Sequence, residues 1–285
     1  MIKVEKNKLY LVTGGGGFLG KPLVNTILKL GGRVRVIGRD EGTLISLKEK
    51  YSNIEIHPGD ISDNFEVVQA MKGVDGVFHL AASKHVGLAE KFVRENIKSN
   101  TIGSLNIYEQ SLKQDLDFIL AISTDKAAQV SGVYGATKLL MERLAKQYEI
   151  LNPNCKYRIV RYGNVLYSTG SVLCKWKDLI EQGKEVIVTE PKATRFFWTV
   201  QQAIDLILDC MVNSTDSTPY CPSMKSMSID NLLTAMVEKY GNGKDIPIKT
   251  IGLQPGENYH EKVLDEGPYS NEVEQFTISE IKELI

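Results

Sequence analysis

Ser123-Thr124-Asp125-Lys126-Ala127, followed by Tyr134-Gly135-Ala136-Thr137-Lys138, gathers a tyrosine, two lysines, a carboxylate and hydroxyls into one short segment. Such a set moves protons. The spacing of Tyr134 and Lys138 puts both side chains on one face of a helix, because residues four apart are surface neighbours. A free tyrosine titrates near ~10 and an adjacent ammonium favours its phenolate, so the pair would supply a base near neutral pH. Standing alone, the pattern would equally suit an exposed amphipathic helix with an incidental Tyr and Lys.

Stepping outward along the chain, 9–13 reads as a short buried strand and Lys21 to Leu30 as a helix, with Gly14, Gly17, Phe18, Leu19 and Gly20 between them. Strand, glycine turn and helix together suit a dinucleotide: the glycines give a tight turn, close approach to a pyrophosphate and close helix packing, and free amides at the helix start face the phosphates. The second strand, 33–37, ends in Gly38-Arg39-Asp40. A carboxylate at this place would hold the ribose hydroxyl of NAD, whereas the planar fork of Arg39 suits the 2′-phosphate of NADP. The competing reading has Asp40 on the ribose and Arg39 in solvent. Asp60 and Ile61, closing a third strand, are expected at the adenine.

Further strands near 54–57, 76–80, 117–122 and 156–161, with helical patterns between them, predict an α/β fold built on a doubly wound parallel sheet. The segments 77–80 and 118–122 are almost wholly apolar, as strands buried on both faces are. Ligands of such sheets bind beyond the carboxyl ends of the strands, where Ala81-Ala82-Ser83-Lys84-His85 and Ser123 to Lys126 fall. Past about 165 the alternation fades into helices near 171–182, 200–211 and 228–240, a strand at 186–188, a polar surface loop at 213–219 and a peripheral helix at 272–285. Residues 1–165 therefore form the dinucleotide-binding domain and 166–285 a smaller α/β substrate lobe, with some chain crossing between them.

With 285 residues, 42% hydrophobic, and a net charge of −1, the chain can bury a sizeable core and shows no basic excess that would point to nucleic acid. Cys155, Cys174, Cys210 and Cys221 show neither metal-type pairing nor a disulfide framework, so we expect reduced thiols, no metal and a cytoplasmic protein. Neither an apolar run of membrane-spanning length nor a signal-peptide core is evident, and no membrane partner is expected.

In these blocks, and in Arg161 to Val165, Thr194 to Phe197, Pro222 to Lys225 and Pro255 to Glu261, the chain resembles an extended short-chain dehydrogenase/reductase (SDR) with a Rossmann domain. Within that superfamily it is similar to the inverting UDP-N-acetylglucosamine 4,6-dehydratases. Thr124-Asp125-Lys126 carries the distinction, since retaining dehydratases typically have Asp-Glu after the threonine and 4-epimerases have neither arrangement. The resemblance implies tightly bound, recycled NADP, with Tyr134 as the phenolate that deprotonates the sugar 4-hydroxyl, Thr124 bonded to the same oxygen and Lys138 on the cofactor ribose. The resulting 4-ketone acidifies C5–H. Neutral Lys126 then removes that proton, protonated Asp125 serves the departing 6-hydroxyl, and hydride returns to C6 as C5 is reprotonated from the opposite face. These roles require the Lys126 pKa to be lowered and that of Asp125 raised.

The resemblance further implies a UDP-sugar held by Lys84, His85, Asn164, Arg195 and Glu257, cofactor contacts from Ala81 and Ala82, and a homo-oligomer. His79 is expected to pack near the cofactor, His57 and His260 to be structural, and Phe196, Phe197 and Trp198 to belong to the core. Gln254 and Asn258 stand where the family motif has basic residues, which predicts a lost or displaced diphosphate contact. A UDP-sugar 4-epimerase or 4-keto reductase, and a non-catalytic dinucleotide sensor, are the competing readings.

Overall fold

The computed structural model describes residues 2–285. Six strands, β1 (Leu9–Thr13), β2 (Arg33–Gly38), β3 (Glu55–Pro58), β4 (Gly76–His79), β5 (Phe118–Thr124) and β6 (Lys156–Tyr162), lie in the order 6-5-4-1-2-3. Every pairing is parallel. The seven residues of β5 are all buried, as a central strand covered on both faces must be. Because the order reverses between β1 and β4, the segments leaving those two strands diverge and open a crevice at the carboxyl edge.

One face of the sheet carries α1 (Gly20–Lys29) and α2 (Glu41–Lys50), the other α3 (Asn64–Met71). Two short turns, α4 (Val86–Ala89) and α5 (Val93–Asn96), lead through a π-helical segment, Ile97–Ile102, into α6 (Gly103–Ser111), which joins α3 and the long α7 (Val133–Leu151) on that second face. Tyr10, Phe78 and Phe118 meet at ring-centroid distances of 5.2–5.9 Å under the first face, in the tilted and edge-on arrangements aromatic quadrupoles favour.

The smaller lobe has its own core, where α8 (Val172–Glu181) supplies Leu173, Trp176 and Ile180. Between them the chain crosses back, since α9 (Val200–Asn213) packs Ala203, Ile204 and Ile207 into the first sheet core. Pro219–Tyr220 then adds a seventh, edge strand beside β6. This corrects the reading of 213–219 as surface loop throughout: two residues show no periodicity, and an edge tolerates proline. Next come α10 (Ile229–Tyr240) and α11 (Ile278–Leu284), packed on each other. The last helix is shorter than the sequence pattern suggests, because Thr277 and Glu280 form a capping box that starts it at 278. Before it, the Ser226 amide donates to the Glu274 carbonyl and the Phe276 amide to that of Ser226, so this stretch is tied down as extended chain. The short strand Val186–Val188 pairs in parallel with Ile248–Thr250.

Candidate active site

One cleft of about 1040 Å³ opens at the carboxyl edge of the sheet, between it and the smaller lobe. Its floor is the glycine turn. Gly14 has φ +67°, and a Cβ there would lie 3.0 Å from the Ala81 Cα, so both conformation and the neighbouring strand exit demand glycine. At Gly17 a Cβ would lie 3.0 Å from the Gly14 carbonyl oxygen, and at Gly20 it would lie 2.5 Å from the Gly15 Cα. The start of α1 has no side-chain cap; the Lys21 amide turns back to the Gly17 carbonyl at 3.1 Å and Pro22 has none, while Gly17, Phe18, Leu19 and Gly20 line the cleft there. Thr13 braces this floor: its hydroxyl accepts from the Leu80 and Ala81 amides at 3.0 Å and meets His79 Nδ1 at 2.8 Å. His79 also touches Ser104 at 2.8 Å, and burial holds its pKa down at about 3. It is a neutral strut.

At the far end of the floor, Arg39 lines the cleft and Asp40 caps α2, accepting from the Thr43 amide at 2.8 Å. Asp40 also borders the cleft, with one carboxylate oxygen taken by the cap, and the largely exposed Arg39 stands beside it. Asp60 and Ile61 do not line the cleft as expected. Asp60 Oδ1 accepts from the amide and hydroxyl of Ser62, and Oδ2 lies 3.8 Å from both Arg39 and Lys98. Burial opposes its charge, but the Ser62 bonds and the two cations outweigh it and hold the carboxyl below its usual range. Ile61 is a core side chain against Gly103.

Asp125, Lys126 and Ala127 form a single 3-10 turn at the end of β5, and Tyr134 and Lys138 project from the first turns of α7. Gly135 permits this approach, since a side chain there would strike the Lys126 carbonyl. Thr124 Oγ1 donates to Asp125 Oδ1 at 2.8 Å, and Lys126 Nζ donates to Oδ2 at 2.8 Å. Burial pushes the Tyr134 phenol up to about 12; Thr124 and Lys126 favour its phenolate and Asp125 opposes it. Lys138 is buried, donates to the Ile122 carbonyl at 2.5 Å and is lowered by burial to about 8, with Glu142 resisting. Lys126 thus bears on the ionisation of the phenol, while the Lys138 ammonium is taken up by the Ile122 carbonyl.

The expected lowering of the Lys126 pKa is also corrected. Burial disfavours its charge, but Asp125 and Glu261 outweigh burial and push the amine above its ordinary value. Glu261 was missed as a site residue. It is buried, with Oε1 at 3.2 Å from Lys126 Nζ and 3.5 Å from Arg195 Nε. Only its closing place in the Pro255 to Glu261 block marked it in the sequence. Asn100 was missed as well. From the π-helical segment its side chain accepts from the Ser83 amide at 2.7 Å and donates to the Ser83 carbonyl and to Thr137, fixing the exit of β4 against α7.

Lys84 and His85 stand exposed at the rim, and burial of part of the Lys84 stem lowers its pKa. The Asn164 amide donates to the Phe196 carbonyl at 2.8 Å. Arg195 lines the cleft yet is largely engaged, donating to the carbonyls of Thr194 and Tyr259 at 2.9 Å besides facing Glu261. Glu257 accepts from the Gln254 amide at 3.0 Å, and Asn258 donates to the Gln129 carbonyl. Gly14, Gly17, Phe18, Leu19, Gly20, Arg39, Ala81, Ala82, Lys84, His85, Thr124, Asp125, Lys126, Tyr134, Lys138, Asn164, Arg195 and Glu257 thus share one cleft. Phe196, Phe197 and Trp198 are buried, His57 bonds Glu66 and His260 bonds Thr194.

A parallel sheet of this order, with a glycine turn after β1 and a Tyr-Lys pair on the helix after β5, defines an extended short-chain dehydrogenase/reductase. The family model described as polysaccharide biosynthesis protein matches residues 10–283, and the chain belongs to that family. An uncharacterized membrane protein of Methanocaldococcus jannaschii is 37% identical over 94% of this chain and 84% of its own length. The inverting UDP-N-acetylglucosamine 4,6-dehydratase of Campylobacter jejuni is 32% identical (90% and 77%), and the UDP-glucose 4-epimerase of Rickettsia akari 30% (90% and 78%). Among solved structures, Pen from Bacillus thuringiensis superposes with a TM-score of 0.93 at 28% identity, covering 99% of this chain and 98% of that one. The chain is an enzyme of the nucleotide-sugar dehydratase and epimerase class. No helix among the described residues is long and apolar enough to cross a membrane.

Proposed function

We propose that this protein is a nucleotide-sugar 4,6-dehydratase that inverts C5, acting on UDP-N-acetylglucosamine or a close UDP-sugar. The observation that carries this reading is the Asp125–Lys126 pair, in 2.8 Å contact beside Tyr134 in the cleft. A base and an acid two bonds apart on the substrate are what elimination across C5 and C6 needs.

The glycine cradle, the uncapped start of α1 and Arg39 suit a nicotinamide dinucleotide, and Arg39, with one Asp40 oxygen taken by the cap, favours NADP. Bound there, the nicotinamide would accept hydride from C4 and return it to C6. Tyr134 takes the 4-hydroxyl proton, helped by Thr124 and by the Lys126 charge. Lys138 would hold the cofactor ribose. Lys126, as the free amine, removes the proton from C5, and its contact with Asp125 passes that proton to the departing 6-hydroxyl, so that water leaves. Lys84, His85, Asn164, Arg195 and Glu257 border the space for the nucleotide sugar. Free thiols at all four cysteines support a cytoplasmic site of action, and the exposed Leu88, Phe92, Val93, Ile97 and Leu140 support a homo-oligomer.

A 4-epimerase reading has the Rickettsia relative in its favour and uses Thr124 and Tyr134 alone. Incubation with UDP-N-acetylglucosamine in heavy water separates the two. The dehydratase gives a 4-keto-6-deoxy sugar with deuterium at C5; a C4 epimer without loss of water would refute it.

A further inference from the structure

The reading above needs Lys126 without its proton, whereas the site surrounds that amine with carboxylates. Glu261 lies on a different segment from every other catalytic group and reaches Lys126 Nζ from the smaller-lobe side. Its backbone is pinned: its amide donates to Ser270 Oγ at 2.9 Å, and its carbonyl accepts from the Ser270 amide at 2.8 Å. Two residues on, Arg161 donates to the Val263 carbonyl at 3.1 Å and to Asp265 at 2.7 Å. Arg161 is itself buried and held in a fork by Glu142 at 2.6–2.7 Å. The carboxylate is almost wholly withdrawn from solvent, and neither of its oxygens makes a well-aligned hydrogen bond among the described residues. The groups facing it are Lys126, Asp125 and Arg195; Lys126 also bears on Tyr134, and the His260 ring is turned to Thr194.

We propose that Glu261 is the positioning residue that takes and stores the Lys126 proton, converting Lys126 into the free amine that removes C5–H; this rests on the dehydratase reading. The Nζ–H bond breaks and an Oε1–H bond forms across the 3.2 Å contact, leaving a neutral amine beside a neutral acid. Lys126 then collects the C5 proton and hands it to Asp125 for the leaving hydroxyl. When water has left, Glu261 returns its stored proton to Lys126, and the charges are those of the start. Burial, which raises the Glu261 pKa against the pull of Lys126 and Arg195, suits it to hold a proton. Asp125 cannot serve both as store and as acid to the leaving group, so the second carboxylate has a separate task.

E261Q keeps the shape and removes the proton store. Stopped-flow reduction of bound nicotinamide by UDP-N-acetylglucosamine uses Lys126 only as a charge beside Tyr134, which E261Q leaves in place, and should stay within about threefold of wild type. Elimination, read as C5 deuterium incorporation, should fall at least ~30-fold and rise about tenfold per pH unit, as for a base that must lose one proton to solvent. Wild type should be far flatter. E261D, which keeps a withdrawn carboxylate, should lose less elimination than E261Q. Equal losses in both steps, equal damage from E261D and E261Q, or an unchanged pH profile would overturn the proposal. NMR titration of the lysine side chains, without sugar, tests the Glu261 link independently. The Lys126 midpoint should fall by at least one pH unit in E261Q, and an unmoved midpoint would overturn the link. Failure of wild type to dehydrate the sugar would instead refute the function while leaving that titration readable.

Discussion

Replacing Lys126 by methionine keeps most of the side-chain volume and removes the one charge lying between two buried carboxylates. Asp125 and Glu261 each have a side-chain exposure of 1%, and in the variant Arg195, 3.5 Å from Glu261, is the nearest remaining cation. Removing one partner of a buried ion pair costs about 3–5 kcal/mol; for a chain of this size that lowers the melting temperature by roughly 5–8 °C. The penalty depends on pH with a definite sign. Glu261 loses the counter-charge that opposed its burial, so its folded-state pKa, already raised, climbs further above that of the unfolded chain. A group raised in this way contributes stability below its unfolded pKa and loses it as pH climbs through the folded value. The variant should therefore be closest to wild type near pH ~5, and its deficit should grow by up to about 1.4 kcal/mol per pH unit for each proton retained. Calorimetric melts of both proteins from about pH 5 to 8 read this directly. A deficit constant across that range, or no deficit at all, would refute the view that Lys126 is the shared cation of two buried acids.

Two further substitutions probe the cofactor end. Gly20→Ala must displace the Gly14–Gly15 backbone, so dinucleotide affinity should fall at least tenfold while the fold persists at a cost of about 1–3 kcal/mol; fluorescence titration with reduced cofactor checks it. Arg39→Ala should weaken NADP about tenfold or more and leave NAD within about twofold, and equal losses for both would remove Arg39 from the 2′-phosphate.

Features written in local chemistry were legible in the sequence. The Gly14-x-x-Gly17-x-x-Gly20 turn, the apolar runs of β4 and β5, and the one-turn spacing of Tyr134 and Lys138 each depend on residues a few positions apart, and the structure places them as expected. What could not be read depends on distant encounters. The charge of Lys126 is set partly by Glu261, which reaches it only because Arg161 and Ser270 fix a loop far along the chain. Lys138 shares a helix face with Tyr134, yet the Ile122 carbonyl of the neighbouring strand claims its ammonium. Asp60 is the local exception: its place after β3 suggests adenine, and a serine two residues on occupies one of its carboxylate oxygens. Pro219–Tyr220 carries no pattern of its own and becomes a strand because β6 offers it an edge.

That late edge strand has a bearing on biosynthesis. Until residues 200–213 have left the ribosome and folded back, the apolar side chains that α9 covers face water, and until 219–220 follow, β6 offers an unpaired flank. The nascent protein must carry this sticky border through the synthesis of its first two hundred or so residues, so cleavage or stalling just before Val200 should yield clumping fragments instead of a usable half-enzyme.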